Sequence, residues 1–249
     1  MSQKKNACMI TLYQFPISHF CEKVRWALDY KGLEHRRRNL LLGFHRKAVR
    51  RLAPNTHVPI LVHGQTVVQN SGNILTYLDR QFSDRSLTPG DPLLREQALD
   101  WEKYLDEEIG IQLRRYCYHV LLEYPHALIP VLSQGMPWYA AVLYKSIFPT
   151  LRQRMRVLLK ITERTAAQSR HRLDAAIKRL HTHLVGRRFL VGDSFTRADL
   201  AAASLLAPLC RTAKFGLAWP QTYPEPLEAA VTEWADRLGW VGDFYHEYR

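Results

Sequence analysis

Cysteine is scarce in this chain, and its four residues stand far apart: Cys8, Cys21, Cys117 and Cys210 form no CxxC pair. That spacing argues against a disulfide framework or a zinc site and fits a reducing compartment, so no metal is expected and a cytoplasmic location is. A secretory leader is not expected either. Thr11, Tyr13 and Gln14 interrupt the apolar run that begins at Ala7, and no small-residue cleavage site accompanies it, so the chain reads as mature from Met1. Charge is lacking from Tyr124 to Tyr144, a stretch long enough to cross a bilayer. Pro125, Pro130, Gly135 and Pro137 would each break or weaken a helix there, so an integral membrane segment is not expected and a buried or pocket-lining stretch is. Internal repeats and low-complexity tracts are absent as well.

Acidic residues are nearly absent from Lys145 to Arg188, where twelve Lys or Arg face only Glu163 and Asp174, so this stretch carries +10 of the formal net charge of +12. Aromatic residues do not interleave with these cations. The expected reading is therefore the solvated outer face of long helices rather than a nucleic-acid surface. What remains is an ordinary globular composition, 47% hydrophobic and 23% charged, in 249 residues, which suits a division into two units.

The hydrophobic pattern gives the order of elements. Met9 to Phe15 reads as a buried strand ended by Pro16, with Tyr13 in the core. Ser18 stands where a helix N-cap belongs, ahead of Phe20, Val24, Ala27 and Leu28 on one helical face, and Gly32 stops the helix. A short basic strand over 35–40 and a helical stretch over 45–52 follow, then a hairpin of 58–62 and 66–69 and a helix starting at Ser71. The spacing thus predicts an α+β, two-domain protein: a β-α-β-α-β-β-α unit over 1–83, a linker at 84–92 rich in Pro and Gly, and an all-helical bundle over 93–249. Within the bundle, Thr196 and Asp199 make a capping box ahead of the run Leu200 to Leu209.

Several marks stand in a fixed order on this frame: Phe15-Pro16-Ile17-Ser18-His19-Phe20-Cys21-Glu22-Lys23, His57-Val58-Pro59-Ile60-Leu61, Asn70-Ser71-Gly72-Asn73-Ile74, and the Thr196-to-Asp199 cap. In these residues the chain resembles the cytosolic glutathione transferases. The resemblance implies a thioredoxin-like first domain that holds glutathione as co-substrate and a helical second domain that holds a hydrophobic electrophile. It implies that Ser18, five residues before Lys23, is the catalytic hydroxyl. Glutathione would lie against the Val58 backbone beside a cis Pro59, with its γ-glutamyl carboxylate on Ser71. Asn70 stands where the family commonly carries Glu or Gln, and His57, His45, Arg46 and Lys47 would meet the glycyl carboxylate. A homodimer is implied too.

Other readings stay open. Cys21 lies at the resolving position of a glutaredoxin-like site whose attacking cysteine is replaced by Ser18, which leaves a thiol-disulfide oxidoreductase as an alternative. A non-catalytic member of the fold, binding a protein or an anionic surface through the basic stretch, is another. Tyr104, Ile111, Tyr116 and the 132–144 segment are the candidate walls of the acceptor site.

Overall fold

Ile10, Leu12 and Gln14 alternate inward along the first strand, β1 (Ile10–Gln14), the period-two signature of a sheet with distinct faces. In the computed structural model, which describes residues 9–249, β1 is central to a four-stranded sheet. Cys8 and Ala7, on which parts of the cysteine and leader readings rest, lie outside the described residues. β1 pairs in parallel with β2 (His35–Asn39) and antiparallel with β3 (Ile60–His63), and β3 pairs antiparallel with β4 (Thr66–Gln69).

The register decides where a site can form. Gln14 lies opposite Asn39, Tyr13 opposite Ile60, and Ile60 opposite Gln69. The carboxyl ends of β1, β2 and β4 and the amino end of β3 therefore share one edge of the sheet. The loops after β1 and β4 and before β3 all emerge there. Helix α1 (His19–Tyr30) buries Val24, Trp26, Ala27 and Leu28 in the main core and packs against α3 (Ser71–Gln81). The short α2 (Arg46–Arg50) instead packs Val49 over Ile60, with Tyr13 half-buried beside them.

The helical unit opens at α4 (Pro92–Leu105), where Asp91 caps by accepting from the Leu94 N–H at 2.9 Å and Pro92 takes the first position. A π-helical turn, Asp106–Gly110, joins α4 to α5 (Ile111–Leu121) without a break. Then follow α6 (Pro125–Ser133), α7 (Ala140–Leu158), α8 (Glu163–Leu184), α9 (Arg197–Cys210) and α10 (Leu227–Tyr248). Most of α9 is buried, and its capping box forms: Asp199 accepts from the Thr196 N–H at 2.8 Å and from the Leu190 N–H at 2.7 Å. Among the described residues no helix is long and apolar enough to cross a membrane.

The uncharged stretch after Tyr124 is largely buried or cavity-lining, as expected, but its prolines interrupt helix less than expected. Pro125 begins a helix at a position where its missing N–H costs nothing. Pro130 sits inside α6, which is held by the burial of Leu128, Ile129 and Leu132 despite the lost backbone bond. The break falls between Gly135, at φ +68°, and Pro137. Beyond it Trp138 is 89% exposed, whereas Ala140 and Tyr144 are buried with Leu128 and Leu132. In the basic stretch, Arg152 and Arg156 pair with Glu123, Arg170 with Glu233, Arg172 with Glu108 and Arg188 with Glu247, while Arg179 lies over the Trp101 and Tyr104 rings.

Two of the contacts that join the units lie beside the candidate site. Lys23 of α1, without solvent exposure, places Nζ 2.8 Å from Glu102 and 2.7 Å from Asp106. Glu102 also receives Arg197 Nε at 2.5 Å, and Arg197 donates onward to the Gly72 carbonyl at 2.9 Å. Gly110 is the second contact: a Cβ built on it would lie 2.5 Å from Phe20 Cζ, so only glycine allows the π-helical turn to approach α1.

Glu102→Ala strands the buried Arg197 guanidinium, leaves Lys23 with Asp106 alone, and is expected to cost about 3–5 kcal/mol in denaturant unfolding. A loss below about 1 kcal/mol would mean that the pair contributes little. Gly110→Ala should cost about 1–3 kcal/mol, with part of the loss recovered when Phe20→Leu is added. An unchanged midpoint for Gly110→Ala would contradict the close approach.

Candidate functional site

The loop from Phe15 to Ser18 is fixed from below. Arg25 donates to the Pro16 carbonyl at 3.2 Å and to Gln14 at 2.8 Å, and its charge is matched by Glu22 at 2.6 Å. The Ser18 N–H donates to the Phe15 carbonyl at 3.0 Å, which turns the chain into α1. Ser18 is then the N-cap: its Oγ accepts from the Cys21 N–H at 3.3 Å. An oxygen used this way keeps its own O–H to donate. The His19 and Phe20 N–H groups, in the first turn, lie outside the intrahelical ladder, so hydroxyl and helix terminus together favour an anion at this point.

His19 and Cys21 flank that cap differently. His19 is buried with Nε2 3.0 Å from the Gly110 carbonyl. Burial first, and the Arg114 guanidinium second, lower its pKa to about 3, so the ring is neutral and Nε2 is the donor. Cys21 is fully buried, and burial pushes its thiol up, the opposite of what a reactive thiolate requires.

The strand register brings the second group of residues to the same edge. The Val58-Pro59 bond is cis, and the Pro59 carbonyl accepts from the Asn70 N–H at 3.3 Å. Among the described residues, the Val58 N–H and carbonyl make no hydrogen bond, leaving them available to an added extended segment. Asn70, at φ 83°, turns its side chain to α3 and accepts from the Gly72 N–H at 2.9 Å. It acts there as a helix cap. Ser71 follows as the first residue of α3 and is 2% exposed.

The four basic candidates separate. His45 places Nε2 3.0 Å from the Thr56 carbonyl and its ring edge-on to Phe15 at 4.7 Å, so it braces the loop before Val58, and burial lowers its pKa. Arg46 is exposed and lines a cleft with Gln153 and Arg154 of α7. Lys47 and His57 are exposed, and Gln69 holds the His57 carbonyl at 2.7 Å. Partial burial and Arg114 hold the His57 pKa below its usual range.

Beside Ser18 opens a narrow apolar cavity of about 70 Å³, continuous with open solvent. Ile17 and His19, the neighbours of Ser18, form one wall, and α5, α6 and the 219–227 segment form the others. Gln134 fastens this enclosure by exchanging hydrogen bonds with the Ala218 backbone at 2.8 and 2.7 Å. Gly135 meets the small unit, where its carbonyl accepts from Asn39 at 2.9 Å.

None of Tyr104, Ile111, Tyr116 or the 132–144 segment is among the lining residues. Tyr104 packs against Trp101 and Arg179, and Tyr116 faces Trp234 in the core. The face of α5 that opens to the cavity carries Leu113, Arg114, Cys117, Tyr118 and Leu121. Sequence reasoning missed these, although their three-and-four spacing was present.

Two family models match this chain. Residues 12–86 match the family model described as glutathione S-transferase, N-terminal domain, and residues 139–226 match that of the C-terminal domain. A probable glutathione S-transferase of Nicotiana tabacum, parA, is 32% identical over 108 residues, 43% of this chain and 49% of that protein. The chain thus spans about half the length of the curated plant relatives it matches. A tetrachloro-p-hydroquinone reductive dehalogenase of Sphingobium chlorophenolicum is 26% identical over 80% of this chain and 82% of its own. The solved structure of the beta-etherase LigF from Sphingobium sp. strain SYK-6 shares the fold at TM-score 0.61 and 21% identity, covering 96% of this chain and 99% of that one. The two domain models follow one another in order and together take in more than half of the residues, and the chain belongs to the glutathione S-transferase family.

Proposed function

We propose that this protein is a glutathione transferase in which Ser18 activates the thiol of bound glutathione for attack on a hydrophobic electrophile. The observation that carries the reading is the position of Ser18: a capping hydroxyl with its proton free to donate, at a helix N-terminus, between two residues that line the apolar cavity. A free thiol, with a pKa of roughly 8.5, is mostly protonated at neutral pH. A donated O–H together with the positive end of α1 stabilises the anion and lowers that pKa. The thiol proton leaves to solvent, the sulfur forms a bond to the electrophilic carbon, and the leaving group departs with the electron pair or the adduct is retained.

Glutathione would extend along the Val58 backbone and place its γ-glutamyl carboxylate on the Ser71 end of α3. Asn70 serves by fixing that helix end, His45 by bracing the 56–58 loop, and the exposed Arg46, Lys47 and His57 surround the place of the glycyl carboxylate. The free, buried thiol of Cys21 disfavours disulfide exchange there and, with Cys117 and Cys210 also free, suits a reducing cytoplasm.

Ser18→Ala is expected to lower kcat/KM with an aryl chloride by about ten- to a hundredfold, the worth of one hydrogen bond to a charged group. Its rising pH limb should move up by about one to two units, since the thiolate loses a stabilising donor. Glutathione affinity, read by calorimetry, should change far less. A variant that ionises bound glutathione as the wild type does, by ultraviolet absorbance of the thiolate, would remove Ser18 from this role. Iodoacetamide at neutral pH should leave Cys21 unmodified in the native protein and modify it after denaturation, as mapped by mass spectrometry. Fast native labelling would revive the redox alternative.

A further inference from the structure

The acceptor cavity contains one charged group without a counterion. Arg114, on α5, lines the cavity with Tyr118 one turn further along the same face. Among the described residues no carboxylate lies within salt-bridge distance of its guanidinium, and residues 1–8 contain no Asp or Glu. Its recorded neighbour is the ring of Phe20, 5.8 Å from Cζ to the centroid.

The contrast with the other sheltered cations is sharp. Lys23, Arg25, Lys31, Arg197 and Arg249 each hold a carboxylate. Arg115, next in sequence, spends its donors on the Leu159 carbonyl, Gln112 and Ser169. Arg114 alone of this group faces an apolar space, where an uncompensated charge is costly to shelter. The desolvation is felt: burial lowers the Arg114 pKa, and Arg114 in turn depresses His19 and His57.

Three other polar side chains of the cavity are committed elsewhere, and the Tyr118 hydroxyl, on the same face of α5 as Arg114, stands beside it as a neutral donor. His19 donates to the Gly110 carbonyl, Trp219 to the Thr212 carbonyl at 3.1 Å, and Tyr223 to the Pro208 carbonyl at 2.7 Å. The walls otherwise are Ile17, Leu113, Leu121, Leu128 and Val131, shaped for an apolar or aromatic body. A guanidinium in such walls offers a planar fork that matches a carboxylate with two parallel hydrogen bonds.

We propose that Arg114 recognises a negatively charged group on the acceptor, and that the acceptors are small aromatic electrophiles carrying a carboxylate. This rests on the transferase reading above and narrows it to a substrate class. In a representative reaction the glutathione thiolate bonds to the aryl carbon bearing chlorine, the carbon–chlorine bond breaks, and chloride leaves with the electron pair. The competing source of an anion for Arg114 is glutathione itself, through its glycyl carboxylate or its thiolate. The position among Leu113, Cys117 and Tyr118 favours the acceptor, and exposed cations already stand at Arg46 and Lys47.

The test uses two finished conjugates, because binding does not depend on turnover. The S-aryl products of glutathione with 4-chloro-3-nitrobenzoate and with 4-chloro-3-nitrobenzamide differ by one charge at nearly constant shape. Titrated into the wild-type protein, the carboxylate conjugate should bind at least about tenfold more tightly than the carboxamide. Arg114→Gln should erase that preference, Arg114→Lys should keep part of it, and glutathione alone should bind all three proteins within about twofold. A wild-type protein without the preference, or a preference that survives Arg114→Gln, overturns the proposal. An equal loss for glutathione alone also overturns it and assigns Arg114 to the peptide. Binding of neither conjugate nor glutathione to the wild type removes the proposed function and this inference with it, whereas loss of the preference alone leaves the Ser18 reading standing.

Discussion

The carboxylate of Glu102 sets the positions of both helix ends from which the proposed glutathione site is built. It lies at the centre of a buried bridge, with Lys23 of α1 on one side and Arg197 of α9 on the other. Ser18 is the cap of the helix that carries Lys23, and Ser71 opens the helix whose Gly72 carbonyl receives Arg197. Moving Glu102 would therefore shift the two anion-favouring helix termini with respect to each other. Buried ion pairs of this kind add little net stability, since desolvation offsets attraction. Their contribution here is to geometry: buried charges whose partners come from both units admit one docking of the units, and a site assembled across that docking inherits its precision.

Lys23 illustrates how a motif and a mechanism can separate. The five-residue spacing from Ser18 to Lys23 carried part of the resemblance, and an activating cation beside the thiol is a tempting reading. In the structure the lysine runs away from Ser18 into the interface and is saturated by Glu102 and Asp106. The spacing thus reports the docking of the helical unit. The electrostatic help available to a thiolate at Ser18 comes from the hydroxyl and the end of α1, both local to the loop.

The elements of the small unit were legible because each is announced by short-range chemistry. Pro16 ends a strand, Ser18 and Asn70 cap helices, and Gly64 turns a hairpin, all within a few residues of where their signals stand. The helical unit was legible as helices but not as faces. The π-helical turn at Asp106–Gly110 inserts an extra residue into an otherwise continuous helix and rotates everything after it by about 100°. The face of α5 with Leu113, Arg114, Cys117, Tyr118 and Leu121 keeps its own three-and-four spacing, but which face meets the cavity depends on the turn before it. Pro130 misled in the opposite sense: burial of its neighbours outweighed one lost backbone bond.

The same turn links architecture to chemistry. It exists where Gly110 can press against Phe20, and its carbonyl accepts from His19 Nε2, which orients the ring that burial and Arg114 hold neutral in the first turn of α1. By rotating α5 it also presents Arg114 to the cavity while Arg115, one residue on, turns into the helical core and is saturated there. One inserted residue thus separates a structural arginine from one left with donors to offer. Positive charge in this protein is abundant, but abundance is not what makes Arg114 distinctive. Most cations on the basic surface stretch are solvated or matched by a glutamate, whereas Arg114 is sheltered, unmatched and lines the apolar cavity that Ile17 and His19, the neighbours of Ser18, also line.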